Sequence, residues 1–158
     1  MNYRNEKYPK KIQDVIKISE KVLSQLDFKS APFLKEIKSD SRLMDKIPAG
    51  AGLYIFIEKG KAMYVGISRK VRKRLVQHGW GKVHNHATLA YLITEHDLGF
   101  STKKSQIQHA QIKIAQERLK NCRVITIPVP DDDPFLLYFM EVYLSGSLKT
   151  KWNTFKTH

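Results

Sequence analysis

The stretch from Gly52 to Gly66, GLYIFIEKGKAMYVG, constrains the fold of this chain more than any other. Two apolar runs, residues 53–57 and 62–65, flank EKG, the pattern of a β-hairpin. Side chains alternate along a strand, so the pairing register decides which residues share a face. A two-residue turn at Lys59 and Gly60 pairs Tyr54 with Val65 and turns the two tyrosines to opposite faces. A three-residue loop of Glu58, Lys59 and Gly60 pairs Ile57 with Lys61, and hence Tyr54 with Tyr64. Gly60 suits the left-handed residue that ends such a loop, so this second register is the expected one. It sets Leu53, Ile55, Met63 and Val65 on the core face and both phenols on the other. On the hairpin alone, cross-strand aromatic packing accounts for the two rings.

Charge gives that hairpin a partner. The 158-residue chain carries a net charge of +13. Residues 51–83 hold 8 Lys/Arg against one acid, so +7 of that total lies in the hairpin and the basic segment after it. An excess of this kind points to an anionic partner, most often nucleic acid. Its clustering argues against a general solubility role. Arg69, Lys70, Arg72, Lys73 and Arg74 are five cations in six residues, with Lys82 beyond them. They repel one another along a helix unless an anion is near. In this helix Val71 and Leu75 face the core, and Lys70, Arg74 and His78 fall on an adjoining stripe. Ser68 is the expected N-cap.

The remaining pattern is of helices and one further strand. Residues 11–26 place Ile12, Val15, Ile16, Val22, Leu23 and Leu26 at helical spacing. APFLKEI adds a short helical piece, and KIPAGAG is a punctuated loop. Residues 1–45 therefore read as an N-terminal helical extension packed on the core. Residues 46–158 read as the main domain, with a helical insertion around 79–121. Within the insertion, HATLAYLITEH and KSQIQHAQIKIAQERLK are helical. The second places Ile107, Ala110, Ile114 and Leu119 near one stripe. CRVITIPV is the third strand. Asp133 at an N-cap and Pro134 at N1 start the last helix. That helix carries Glu141 among Leu137, Tyr138 and Leu144. A carboxylate there is costly unless it is paired or binds a cation. A buried salt bridge or a place at the rim satisfies it, and so does a hard divalent ion, which takes oxygen ligands.

Other classes are excluded or set aside. No apolar run approaches the ~20 residues of a membrane helix. The N-terminus shows no apolar signal segment. Cys122 stands alone, so a reducing, cytoplasmic setting is expected, with association with the nucleoid open. HNH at 84–86 is three consecutive residues and not a dispersed nuclease motif. His84, His86 and His96 lack the paired spacing of a zinc site.

Taken in order over residues 51–155, these motifs resemble the GIY-YIG nuclease superfamily. GLY at 52–54 and YVG at 64–66 stand for its two name-giving tripeptides. Arg74 follows Tyr64 by ten residues and His78 lies four further on, as in the family. Glu141 matches the helix-borne metal glutamate, and Asn153, in KWN, follows it by twelve. Leu53 and Val65 replace isoleucines. Ile67 stands where some members carry a lysine, a role that is absent here or filled by Lys70 or Lys73.

The resemblance implies an α+β fold: a small central three-stranded antiparallel sheet flanked by helices. It implies an endonuclease that hydrolyses DNA phosphodiesters with Mg²⁺ or Mn²⁺ held by Glu141. Arg74 would bind phosphate oxygens, with Lys70, Arg72, Lys73 and Lys82 on the DNA. Tyr54 is the first choice of general base, its ordinary pKa of about 10 lowered by the metal and Arg74. His78 is the rival base. Tyr64 would position phosphate or water. Gly52, Gly66 and Asn153 would support the site. The alternative is a nucleic-acid-binding module that keeps the fold without cutting. A basic protein-interaction domain leaves Glu141 and the spacings unexplained. The motifs leave open whether the DNA is duplex, branched or damaged, and whether the protein is a monomer or homodimer.

Overall fold

A computed structural model of the chain describes residues 7–83, 86–99, 109–131 and 133–153. The described elements, in chain order, are α1 (Lys7–Ser24), α2 (Leu34–Ser39), α3 (Ser41–Lys46), β1 (Gly52–Glu58), β2 (Lys61–Ser68), α4 (Val71–Trp80), α5 (Thr88–Leu98), α6 (His109–Lys120), β3 (Arg123–Pro128) and α7 (Pro134–Ser147). The strands form one antiparallel sheet in the order β2-β1-β3. The architecture is α+β, as expected.

The central strand β1 is buried on both faces from Gly52 to Ile57, which is why its sequence is an apolar run rather than an alternation. Leu53, Ile55, Ile57 and Val65 pack with Val15 of α1 and Leu137, Met140 and Leu144 of α7. On the other face, Tyr54 and Phe56 pack with Leu34 and Ile37 of α2, Leu75 of α4, Ile93 of α5 and Leu119 of α6. The chain before the hairpin is thus part of the core: Leu34 N–H also donates to the Cys122 carbonyl at 2.9 Å.

The hairpin register differs from both expected ones. Lys59 (φ 50°) and Gly60 (φ 76°) are both left-handed, the signature of a two-residue type I′ turn. Glu58 pairs with Lys61 and Ile57 with Ala62. The register then shifts at a β-bulge, so Phe56 pairs with Tyr64 and Tyr54 with Gly66. Met63 is the extra residue of the bulge. A two-residue turn alone would separate the tyrosines. The bulge reverses the alternation and returns Tyr64 to the Tyr54 face, one diagonal step away, with ring centroids 6.2 Å apart. It also moves Met63 off its expected face, against Tyr54, Phe56 and Cys122.

Two further expectations are corrected. Ser68 does not cap α4: Lys70 is the N-cap, and the Ser68 hydroxyl accepts from Lys70 N–H at 3.0 Å. The first α4 amides are satisfied instead by the KIPAGAG loop. Val71 N–H donates to the Gly50 carbonyl at 3.1 Å and Arg72 N–H to that of Pro48 at 3.2 Å. In α6 the buried residues are Ile112, Ala115, Gln116 and Leu119, while Ile114 is 73% exposed and Ala110 is also exposed. Gln116 tolerates burial because its amide donates to the Gly81 carbonyl at 2.7 Å. Ile107 and His84 lie outside the described residues. The expected start of α7 is as observed, with Pro134 in the first turn and Asp133 accepting from Leu136 N–H. Among the described residues no helix is long and apolar enough to cross a membrane.

Candidate active site

The bulge and the close packing of α4 bring the hairpin phenols to the histidine. The Tyr54 hydroxyl lies 2.8 Å from His78 Nε2. His78 is fully buried, edge-on to Phe56 with ring centroids 5.5 Å apart. Gly66 leaves room for this arrangement, since a Cβ there would overlap the Tyr54 ring and hydroxyl. At Gly52 a Cβ would run into the Ile127 carbonyl of the neighbouring strand. The glycines of both tripeptides are therefore required by close approach.

Burial, reinforced by the Arg74 charge, holds His78 far below its ordinary value, at about 3. The ring is neutral throughout the physiological range, and its Nδ1 has no hydrogen-bond partner among the described residues. Below the ordinary histidine value of about 6.5 the unfolded chain takes up a proton that the folded chain refuses until about pH 3. The contribution of this site to stability is therefore complete above pH 6.5 and is lost as pH falls through that window, with a slope approaching ~1.4 kcal/mol per pH unit. Urea denaturation at several pH values should show the stability gap between wild type and His78→Gln narrowing as pH falls. A gap that stays constant would mean that His78 is not held neutral.

The protein groups alone shift Tyr54 upward, whereas the expected lowering also invokes a bound metal. Burial of its ring, at 1% exposure, outweighs Arg74 and raises the pKa, with Tyr64 adding to the rise. Tyr64 is also raised, first by burial and then by Glu141.

A cleft of about 320 Å³ opens beside these groups. Tyr64 of β2, Glu141 of α7, Thr88, Leu89 and Leu92 of α5, Trp152 and Asn153 line it. Tyr54 and His78 sit behind that wall. Glu141 is half-buried, and burial raises its carboxyl above the ordinary value. Among the described residues its carboxylate has no ion pair or hydrogen bond, and no cluster of three or more metal-ligating side chains occurs. The buried-salt-bridge account of Glu141 therefore fails. Arg74 reaches from α4 to the cleft wall, where its Nη2 donates to Thr88 Oγ1 at 2.7 Å.

Asn153 clips the free edge of β2. Its Oδ1 accepts from Val65 N–H at 2.8 Å and its Nδ2 donates to the Val65 carbonyl at 2.7 Å. Trp152 N–H donates to the Met63 carbonyl at 3.1 Å, so the same segment grips the bulge. Val65 is buried, and Asn153→Ala would leave two of its backbone groups without these partners. Urea denaturation is expected to show a loss of about 2–4 kcal/mol. A loss under about 0.5 kcal/mol, the size of an ordinary surface substitution, would show that the clip is dispensable.

The basic residues divide. Lys70, Lys73 and Lys82 are exposed. Arg72 is committed to the fold, donating to the Ile47 carbonyl at 3.0 Å and lying 3.7 Å from the Asp45 carboxylate. Thr88, Leu89 and Leu92 carry no sequence signal for a place in the site; they enter it only because α5 packs beside α4.

Fold and cleft together define an α+β domain with an unpartnered carboxylate and a phenol on one cleft wall and an arginine held at another. Three solved structures are similar to this chain: point-mutant forms of the GIY-YIG N-terminal endonuclease domain of UvrC from Thermotoga maritima, each bound to its catalytic divalent cation. Each is 18% identical and covers 72% of this chain and 93–94% of its own, with TM-scores of 0.41–0.42. No family model and no curated protein matches the sequence.

Proposed function

We propose that this chain is a divalent-metal-dependent endonuclease of the GIY-YIG type, hydrolysing DNA phosphodiester bonds in the cleft beside Tyr64 and Glu141. The observation that carries this reading is the half-buried Glu141 carboxylate, which has no partner among the described residues and faces a cleft shared with Tyr64. A carboxylate in that position is costly until a cation joins it. Mg²⁺ and Mn²⁺ suit a single protein carboxylate, because water and phosphate oxygens fill their remaining positions. The residues present therefore fit the ion, with Glu141 as its protein ligand. Held there, it would neutralise charge on the scissile phosphate and stabilise the leaving oxygen.

The chain's own groups supply the rest. Arg74 donates to the non-bridging phosphate oxygens, for which its planar fork is suited. Tyr64, on the cleft wall, orients the phosphate or the water. Tyr54 and His78 both lie behind the cleft wall, hydrogen-bonded to each other, and His78, its pKa held at about 3, is the weaker proton acceptor of the two. Tyr54 is the first choice to accept the proton of the attacking water, its oxygen held 2.8 Å from His78 Nε2, and a metal on Glu141 together with Arg74 would favour its phenolate. Asn153 holds β2, and hence Tyr64, in place. The exposed Lys70, Lys73 and Lys82 contact the DNA backbone.

A panel of plasmid, flapped, branched and lesion-bearing DNAs, with RNA as control, tests the reading. Mg²⁺-dependent cleavage of at least one DNA form is expected. DNA binding that survives EDTA with no cleavage of any form would favour the non-cleaving module instead.

A further inference from the structure

The helix α5 lies in the stretch between the basic helix and the third strand, outside every motif of the resemblance, yet its first half lines the cleft and its far end packs on a residue that does. At its start, Thr88 Oγ1 accepts from Arg74 Nη2 at 2.7 Å, and the His86 carbonyl accepts from Nη1 at 3.4 Å. Leu89 and Leu92 continue the wall. At its far end the His96 ring meets Trp152 edge-on, with centroids 5.0 Å apart, and Trp152 is the residue before Asn153.

We infer that α5 is a built-in wall of the active site and that Thr88 is a positioning residue for Arg74. The inference rests on the nuclease reading for its catalytic consequence and on the geometry alone for the contact. The long side chain of Arg74, half-buried on a basic helix, has rotamer freedom to lose. Lys70 and Lys73, on the same helix, repel it. Anchoring the guanidinium to a hydroxyl fixed at the start of a helix restricts that freedom further, beside its other contacts, before substrate arrives. A guanidinium so held meets the phosphate without reorganising, the condition under which electrostatic stabilisation of the transition state is strongest. Thr88 acts through Arg74 and need not touch the substrate.

Thr88→Val keeps the shape and removes the acceptor, whereas Thr88→Ser keeps the acceptor. In Mg²⁺, Thr88→Val should lower kcat about tenfold or more with KM little changed. Thr88→Ser should recover most of the loss. In an Arg74→Ala background, Thr88→Val should add nothing. Thermal melting of each variant identifies any that fails to fold; Thr88→Ala, which also removes the acceptor, then takes the place of Thr88→Val with the same expected loss. Nitrogen-15 NMR of the Arg74 guanidinium reads the contact independently of activity. Restrained signals in wild type and Thr88→Ser, averaged in Thr88→Val, are expected. Wild-type kcat in Thr88→Val, an equal Thr88→Val effect with or without Arg74, or Arg74 signals unchanged by Thr88→Val would overturn the assignment. A wild type that cuts no nucleic acid would overturn the nuclease reading instead, and the NMR result would then decide the contact.

Discussion

Glu141→Gln is expected to reduce DNA cleavage at least about a thousandfold while leaving the protein folded. The substitution keeps the side chain's size and removes its charge. In the fold Glu141 supports nothing else, since it has no ion pair or hydrogen bond among the described residues. Neutralising it relieves a burial cost rather than breaking a contact, so stability should be unchanged or slightly higher. The catalytic cost is of another size. Charge stabilisation by a metal contributes several kcal/mol to the transition state, and each ~1.36 kcal/mol is tenfold in rate. Mn²⁺ titration followed by electron paramagnetic resonance should show binding to wild type and none to the variant. Cleavage within about tenfold of wild type would remove Glu141 from the site.

Tyr54→Phe should lower the cleavage rate about 10²–10⁴-fold, the range that a positioned proton acceptor supplies. His78→Gln should fall short of that loss, because Tyr54 keeps its oxygen and loses only the ring that holds it. If the two act as one unit, the double variant should be no slower than Tyr54→Phe alone, since groups acting as a unit are not additive. Multiplied losses in the double variant would mean that they act independently. Full activity in Tyr54→Phe would eliminate Tyr54 as the base and leave the cleft-facing Tyr64 as the phenol to test.

Much of this molecule is legible in its sequence because the signals are local. The β1 run, the Asp133–Pro134 helix start and the spacing of Arg74 and His78 from Tyr64 each need only a few neighbouring residues. The features that escape the sequence depend on distant contacts. The bulge at Met63 is gripped by Trp152, almost ninety residues away, so the turn sequence alone does not give the register. The first α4 amides are met by the Gly50 and Pro48 carbonyls of the loop before the hairpin, about twenty residues upstream, and not by Ser68. The α6 stripe is misphased in the sequence pattern because a glutamine is buried on a distant carbonyl. His78 reads as a residue beside the core, and its complete burial reflects the Tyr54 hydroxyl that it meets. Thr88 has no motif around it; only the docking of α5 reveals its place.

Conversion of supercoiled plasmid to nicked circles by the purified wild-type protein tests the central claim most directly. Nicking in Mg²⁺ or Mn²⁺, abolished by EDTA and restored by excess metal, is the predicted result. Folded protein that binds the plasmid and leaves it supercoiled in both metals would contradict it.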